Sequence, residues 1–221
     1  MSQSSLAIAA ALAHGQQKLH LRIAEDPWLW ASTYTKTYDE HWKEKGKPSP
    51  YSSFPDKDYL AHFIRYLLTP TRLFVPKSRD MMVSWATIAY GVWSCQTRAR
   101  TRVVVQAQKE DKVYDLVGSD PSGYARTLYE QQPAWLRALY PLKGDIKLAR
   151  MAWENGSVFQ GVPAGSDQVR QYHPTILIVD EACFVEDFQS SYEAASPVCG
   201  QIIAISSAWP GFFMDCASEA V

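Results

Sequence analysis

Apolar and polar positions along this chain follow two periods. Short apolar runs of strand length occur at Arg72–Val75, Val103–Val105, Thr175–Val179 and Gln201–Ile205, each ending in polar or turn-forming residues. Helical spacing fills the intervals. Asp58–Leu68 places Tyr59, Leu60, Phe63, Ile64 and Leu67 on one face, and Trp85–Gln96, Glu110–Val117 and Tyr124–Glu130 read the same way. Ser5–Ile23 predicts a further helix, and Asp26-Pro27 opens a segment rich in aromatics at Trp28, Trp30, Tyr34 and Tyr38. Gly46, Pro48, Pro50 and Pro55 mark residues 41–56 as a loop. Leu148–Trp153 and Ser157–Val162 alternate around Asn155-Gly156, which predicts a hairpin. Strands interleaved with helices predict an α/β fold with a mostly parallel sheet, helices on both faces and ligand at the strands' C-terminal ends. A helical N-terminal extension, residues 1–68, is expected to pack on a core spanning residues 69–221.

Two strand ends carry candidate chemistry. The run Thr175–Val179 finishes in Asp180-Glu181, a buried strand delivering adjacent carboxylates to its C-terminal end. In nucleotide-hydrolysing P-loop proteins the first such carboxylate holds Mg²⁺ and the second polarises the attacking water. The other reading is that the pair caps a following helix, where acidic residues are favoured. Upstream, Arg72–Val75 breaks at Pro76 into Lys77-Ser78-Arg79-Asp80-Met81-Met82-Val83-Ser84, and a long helical pattern follows from Trp85. Aligned with the usual G-x-x-x-x-G-K-[ST] phosphate loop, Ser84 takes the final position, Lys77 and Met82 replace the glycines and Val83 replaces the lysine. The chemistry survives if Lys77 and Arg79 supply the cation from the front of the loop while Ser84 directs its hydroxyl at Mg²⁺. The helix N-terminus then still faces the phosphates.

Pro76-Lys77-Ser78-Arg79, Ile178-Val179-Asp180-Glu181-Ala182 and Ile203-Ala204-Ile205-Ser206-Ser207-Ala208 together resemble the ATPase domain of the large terminase of tailed bacteriophages. The resemblance runs from about Pro27 to Phe213. It implies a P-loop NTPase of the additional-strand type, with ATP and Mg²⁺ as cofactors, that drives double-stranded DNA into a procapsid. The phosphate-loop residues 77–85 (Lys77, Ser78, Arg79, Asp80, Met81, Met82, Val83, Ser84 and Trp85) are then expected at the nucleotide. Ser84 and Asp180 hold the metal, and Glu181 and Arg79 are catalytic. By the same resemblance Ser206 and Ser207 form the motif that couples hydrolysis to movement, and Phe54 or Tyr59 contacts adenine. Arg170, just ahead of the carboxylate strand, is the candidate finger reaching a neighbouring subunit's nucleotide; the alternative is a local ion pair with Asp167. The implied partners are duplex DNA, a portal protein, a small terminase subunit and further copies in a ring, commonly pentameric, within the host cytoplasm. Two positions depart from the family, which often carries Gln at the place of Asp80 and Gly at that of Met82. The nuclease domain of a full large terminase has no counterpart in these residues, so no DNA cleavage is expected.

Composition narrows the alternatives. At 221 residues, 47% apolar and 13% aromatic, the chain can bury one substantial core. Ala7–Ala13 is too short to span a membrane and lacks the charged flank of a signal peptide. Cys95, Cys183, Cys199 and Cys216 have neither zinc spacing nor a disulfide framework, which fits a reducing compartment. Residues 1–110 carry 15 Lys+Arg against 9 Asp+Glu, whereas residues 111–221 carry 7 against 14, within a net charge of −1. Arg98, Arg100 and Arg102, read as one strand face, are either a contact for DNA or a neighbouring subunit, or a solvated surface. Other P-loop translocases or helicases would keep a lysine before Ser84, and no N-K-x-D sequence marks a GTPase. A non-hydrolysing assembly module with a decayed phosphate loop is the alternative from another class.

Overall fold

A computed structural model of the chain describes residues 18–69, 71–165, 169 and 171–219. The earlier part of the predicted Ser5–Ile23 helix, together with Asp167 and Arg170, lies outside those residues. Residues 18–25 are helical (α1). They are followed by α2 (Pro27–Tyr34), β1 (Lys36–Tyr38), β2 (Tyr51–Ser53) and α3 (Asp58–Tyr66). Asp26 caps α2, its Oδ1 accepting the amides of Trp28 at 2.9 Å and Leu29 at 3.2 Å, with proline at the first helical position. The expected loop at 41–56 is therefore only partly a loop. Tyr51–Ser53 pairs antiparallel with Lys36–Tyr38 and forms a small ribbon, because the Gly/Pro-rich connection folds back on itself.

The central sheet has six strands: β3 (Arg72–Lys77), β4 (Arg102–Ala107), β5 (Arg150–Ala152), β6 (Val158–Pro163), β7 (Ile176–Asp180) and β8 (Gln201–Ser207). Their spatial order is β3-β8-β7-β4-β6-β5, and every pairing is parallel except that of β5. The predicted break at Pro76 does not occur. Strand β3 runs on to Lys77 because it is an edge strand, where the missing proline amide leaves no ladder bond unmade. The hairpin at Asn155-Gly156 forms as the alternation predicts, with Gly156 at φ +85° and Asn155 Oδ1 accepting the Ser157 amide at 2.9 Å.

Alternation along the strands divides the apolar side chains between two layers. Val103, Val105, Ile176, Ile178, Ile203 and Ile205 point to one face. They pack there with α4 (Val83–Thr97), α5 (Glu110–Leu116) and α6 (Tyr124–Glu130). Val104, Leu177, Val179, Ile202 and Ala204 point to the other. A short helix α7 (Ala134–Leu139) precedes β5; α8 (Phe188–Ala195) and α9 (Phe212–Glu219) cover the second face. Phe74 sits among Phe188, Tyr192 and Phe213 there, at ring separations of 5.4–6.4 Å. The first layer also takes in Ile23, Trp30, Leu60 and Ile64, so the N-terminal helices share one continuous core with the sheet. Trp93 Nε1–H closes that junction by donating to the Ile23 carbonyl at 2.8 Å.

The arginines read as one strand face are separated. Strand β4 begins only at Arg102; Arg98 ends α4 and lies over the Trp93 ring at 4.7 Å, and Arg100 occupies a turn at φ +57°.

Candidate active site

Sheet topology brings the two sequence motifs together. Strand β8 lies between β3 and β7, with Lys77 in register with Ser207 and Ile205 with Asp180. The C-terminal ends of three neighbouring parallel strands thus deliver Lys77, Asp180-Glu181 and Ser206-Ser207 to one point. Lys77 Nζ donates to Glu181 Oε1 at 2.6 Å, and Ser84 Oγ donates to Asp180 Oδ1 at 2.8 Å. Glu181 also accepts the Ser207 amide at 2.9 Å through Oε2, while Ser206 Oγ and Ser207 Oγ lie 3.3 and 3.4 Å from its carboxylate. Ser206 is fully buried and its Oγ accepts the Cys183 amide at 3.1 Å, which ties the turn after β7 to the end of β8.

The two carboxyls experience opposed environments. Burial pushes Asp180 up, against the pull of the Ser84 hydroxyl and the Lys77 ammonium. Burial also raises Glu181, but the Lys77 ammonium and the Ser207 amide outweigh it and hold that carboxyl below its ordinary value. Glu181 is therefore the ionised acceptor of the pair, held at φ +50°, a left-handed conformation that costs a non-glycine residue roughly 1–2 kcal/mol.

The loop between β3 and α4 reaches its turn without glycines. Asp80 and Met82 take φ +61° and +57°. Asp80 is exposed and is among the residues that line the adjoining cleft. Met82 is the N-cap of α4 and makes no side-chain cap bond, so the first-turn amides of a fifteen-residue helix are left for a ligand. Ser78, Met81 and Val83 line the adjoining cleft, whose volume is about 610 Å³. Arg79 instead lines a neighbouring hollow of about 310 Å³ on Glu181, shared with Lys112, Phe184 and Ser207. The hydroxyl of Ser84 and the carboxylate of Asp180 are hard oxygen donors suited to Mg²⁺, and the helix N-terminus with Lys77 suits phosphate.

The expected adenine contacts are corrected in part. Phe54 is only 2% exposed and packs edge-on against Trp28 at 6.2 Å, so its flat face is consumed by the core and it does not line the cleft. Tyr59 stands at the loop's shoulder, its hydroxyl donating to the Met81 carbonyl at 3.2 Å. The aromatic wall of the cleft joins Trp85, expected at the nucleotide, to two residues that sequence reasoning did not assign to it. Trp85 stacks on Tyr124 at 3.9 Å and 11°, and Tyr38 completes the wall from the β1–β2 ribbon. Burial, with the Asp180 carboxylate adding to it, pushes the Tyr124 phenol up to about 12, so it remains a neutral hydrogen-bonding group. The only sequence signal for Tyr38 was its place in the aromatic cluster after Pro27.

Solved structures share this architecture. The ATPase domain of the large terminase of Thermus phage P74-26 superposes with a TM-score of 0.53 at 17% identity, covering 81% of this chain and 73% of that one. The large terminase of bacteriophage HK97 superposes with a TM-score of 0.59 at 11% identity, covering 89% of this chain and 41% of that one. No family model and no curated protein matches the sequence. At these identities the likeness establishes the fold, that of the large-terminase ATPase domains, with its strand inserted between the phosphate-loop strand and the carboxylate strand.

Proposed function

We propose that this chain is the ATP-hydrolysing motor domain of a large terminase, acting on double-stranded DNA. The observation that carries the reading is the meeting of Lys77, Ser84, Asp180, Glu181 and Ser207 at three parallel strand ends, directly beside an uncapped helix N-terminus. A nucleoside triphosphate entering the cleft meets the α4 amides and competes with Glu181 for the Lys77 ammonium. Released from that ion pair, Glu181 accepts a hydrogen bond from the attacking water and orients it toward the γ-phosphoryl group. Ser84 and Asp180 would hold Mg²⁺, which when bound neutralises charge on the β- and γ-phosphates. Arg79, one hollow away, supplies further positive charge to the transferring group. Ser206 and Ser207 touch the same carboxylate and begin the connection to α9, a route by which loss of the γ-phosphate is passed outward.

Arg170 is retained on sequence grounds as the finger acting on a neighbour. Its replacement by Ala should lower turnover of an assembled ring by ~10³ while leaving nucleotide affinity of the isolated chain unchanged. Portal, small-subunit and ring partners belong to the same proposal, as does a two-part organisation with residues 1–68 as an extension on the ATPase core. Among the described residues no helix is long and apolar enough to cross a membrane.

The test is Mg²⁺-dependent ATP turnover by wild type, Glu181→Gln and Lys77→Ala, with and without duplex DNA. Glu181→Gln should bind nucleotide normally and lose roughly 10²–10⁴ in kcat. Lys77→Ala should lose affinity as well. Nucleotide binding by a folded wild type that never turns over, in isolation or with DNA, would overturn the enzymatic reading in favour of a non-hydrolysing module.

A further inference from the structure

The acidic half of the sequence contains one basic island. Four of the seven Lys+Arg of residues 111–221 fall within residues 137–150: Arg137, Lys143, Lys147 and Arg150. The fold places the last three on one surface. Strand β5 forms the sheet edge opposite β3, and residues 142–147 fold back along it through bridges at Leu142↔Trp153 and Lys147↔Arg150. The amide of Lys143 donates to the carbonyl of Ala152 at 2.8 Å, and Lys147 and Arg150 exchange backbone bonds at 2.9 and 3.2 Å. Opposite residues of an antiparallel pair share a face, as do positions two apart on a strand. Lys143, Lys147 and Arg150 therefore face the same way, around a hollow of about 350 Å³ that also includes Asp145 and Ala152. Met151, between them in sequence, points into the core. All three cations are exposed, and among the described residues none is paired with a carboxylate.

We infer that this basic face of the β5 edge is a docking surface for the phosphate backbone of duplex DNA. The inference rests on the proposed motor function, which supplies the polyanion, and goes beyond it by assigning the contact. Fixed backbone on both strands of the ribbon holds three positive groups at set positions, and duplex DNA offers a charge per ~1.7 Å of axis without requiring base recognition. The position also connects to the nucleotide. The turn of the ribbon packs on Gly118, whose amide donates to the Leu148 carbonyl at 3.0 Å. Gly118 lies two residues past the end of α5, and Lys112, Asp115 and Leu116 of α5 line the nucleotide cleft. One helix thus spans from cleft to basic face.

The test measures anisotropy of a labelled 30-bp mixed-sequence duplex against salt from roughly 50 to 200 mM, the range over which phosphate contacts are most visible. Compared are wild type, Lys143→Ala/Lys147→Ala/Arg150→Ala, the single reversal Asp145→Lys, and Lys36→Ala/Lys43→Ala/Lys57→Ala as an equal loss of charge elsewhere. The hairpin triple should lose on the order of tenfold in affinity and reduce the salt slope by roughly 0.9 per contact. Asp145→Lys should bind more tightly, a gain that misfolding cannot mimic. Basal ATP turnover without DNA, measured on the same proteins, should be unchanged in all of them. Equal losses in both triples, or an unaltered hairpin triple, overturn the surface. A wild type that turns over ATP yet binds no duplex overturns the surface and leaves the ATPase reading standing; one that does neither overturns both.

Discussion

Asp180 is the carboxyl of the site whose negative charge the fold disfavours. Burial disfavours its charge and Glu181 adds a second negative group alongside, while the Ser84 hydroxyl asks only for an acceptor. An amide keeps that acceptor and removes the charge. Asp180→Asn should therefore melt at a higher temperature than wild type in metal-free buffer and lose Mg²⁺-dependent turnover, as expected where a site is kept at the expense of stability. A lower melting temperature would contradict the electrostatic argument. Asp26 behaves in the opposite sense. Burial alone would raise its carboxyl, but the Arg65 guanidinium, at 2.8 Å from Oδ2, and the capped α2 amides hold it below its usual range. A lowered folded-state value means stability that is complete above the unfolded value of about 3.9 and is lost as pH falls through the folded one. Asp26→Ala should cost about 1 kcal/mol at pH 7 in urea unfolding, typical of a lost cap, and the gap to wild type should narrow below about pH 4. A gap independent of pH would assign the loss to packing instead.

At the scale of elements, close approach of backbones decides what can move together. Strand β6 takes α5 against its own backbone at Gly161, where a Cβ would lie 2.3 Å from Val113 Cγ1. Two residues past the helix a Cβ on Gly118 would meet the Lys147 carbonyl oxygen at 2.1 Å. Gly118→Ala has to push the basic ribbon away from α5, and should cost about 1–3 kcal/mol, or several degrees of melting temperature. Unchanged melting would show that the ribbon yields freely and is not joined to the helix. These contacts explain which elements could be read from the chain. Strands β4, β7 and β8 are buried on both faces and appear as plain apolar runs, and the β5–β6 turn is written in Asn155-Gly156. Strand β2 could not be found, because Tyr51–Ser53 is a strand only through its partner Lys36–Tyr38. Pro76 misled because nothing in the sequence marks β3 as an edge. In the site, Lys77, Asp180 and Glu181 were legible since each sits beside a strand end, and Ser84 because it opens the helical pattern after the loop. Tyr38 and Tyr124 were not, because the fold alone carries them to the cleft, and Phe54 misled because an aromatic has the same signature in a core as at a ligand.

For the whole molecule, the cleft is the place where distant parts of the chain meet. Tyr38 and Asp39 come from the N-terminal ribbon, Lys112 and Tyr124 from the helices after β4, and Lys77, Asp180 and Glu181 from the sheet. The ion pairs of the outer wall are local: Asp39 is tied to Lys45 at 3.1 Å and Lys47 at 2.7 Å, both within the ribbon's own loop. On the proposed reading, a nucleotide filling this cleft would touch the ribbon and the sheet at once. Mg²⁺ with a non-hydrolysable ATP analogue at ~100-fold its Kd should stabilise the wild type by about 2.7 kcal/mol, which for a chain of this size is roughly 5–10 °C in melting temperature. Hydrogen exchange should slow in β1 and β2 as well as in the phosphate loop. Lys77→Ala should abolish both effects at the same ligand concentration. Protection confined to the phosphate loop, with a normal thermal shift, would mean that the nucleotide is held by the sheet alone and that the ribbon is a bystander. Protection reaching the ribbon would make residues far outside the phosphate loop part of the nucleotide site, because the ligand then contacts the ribbon and the sheet together.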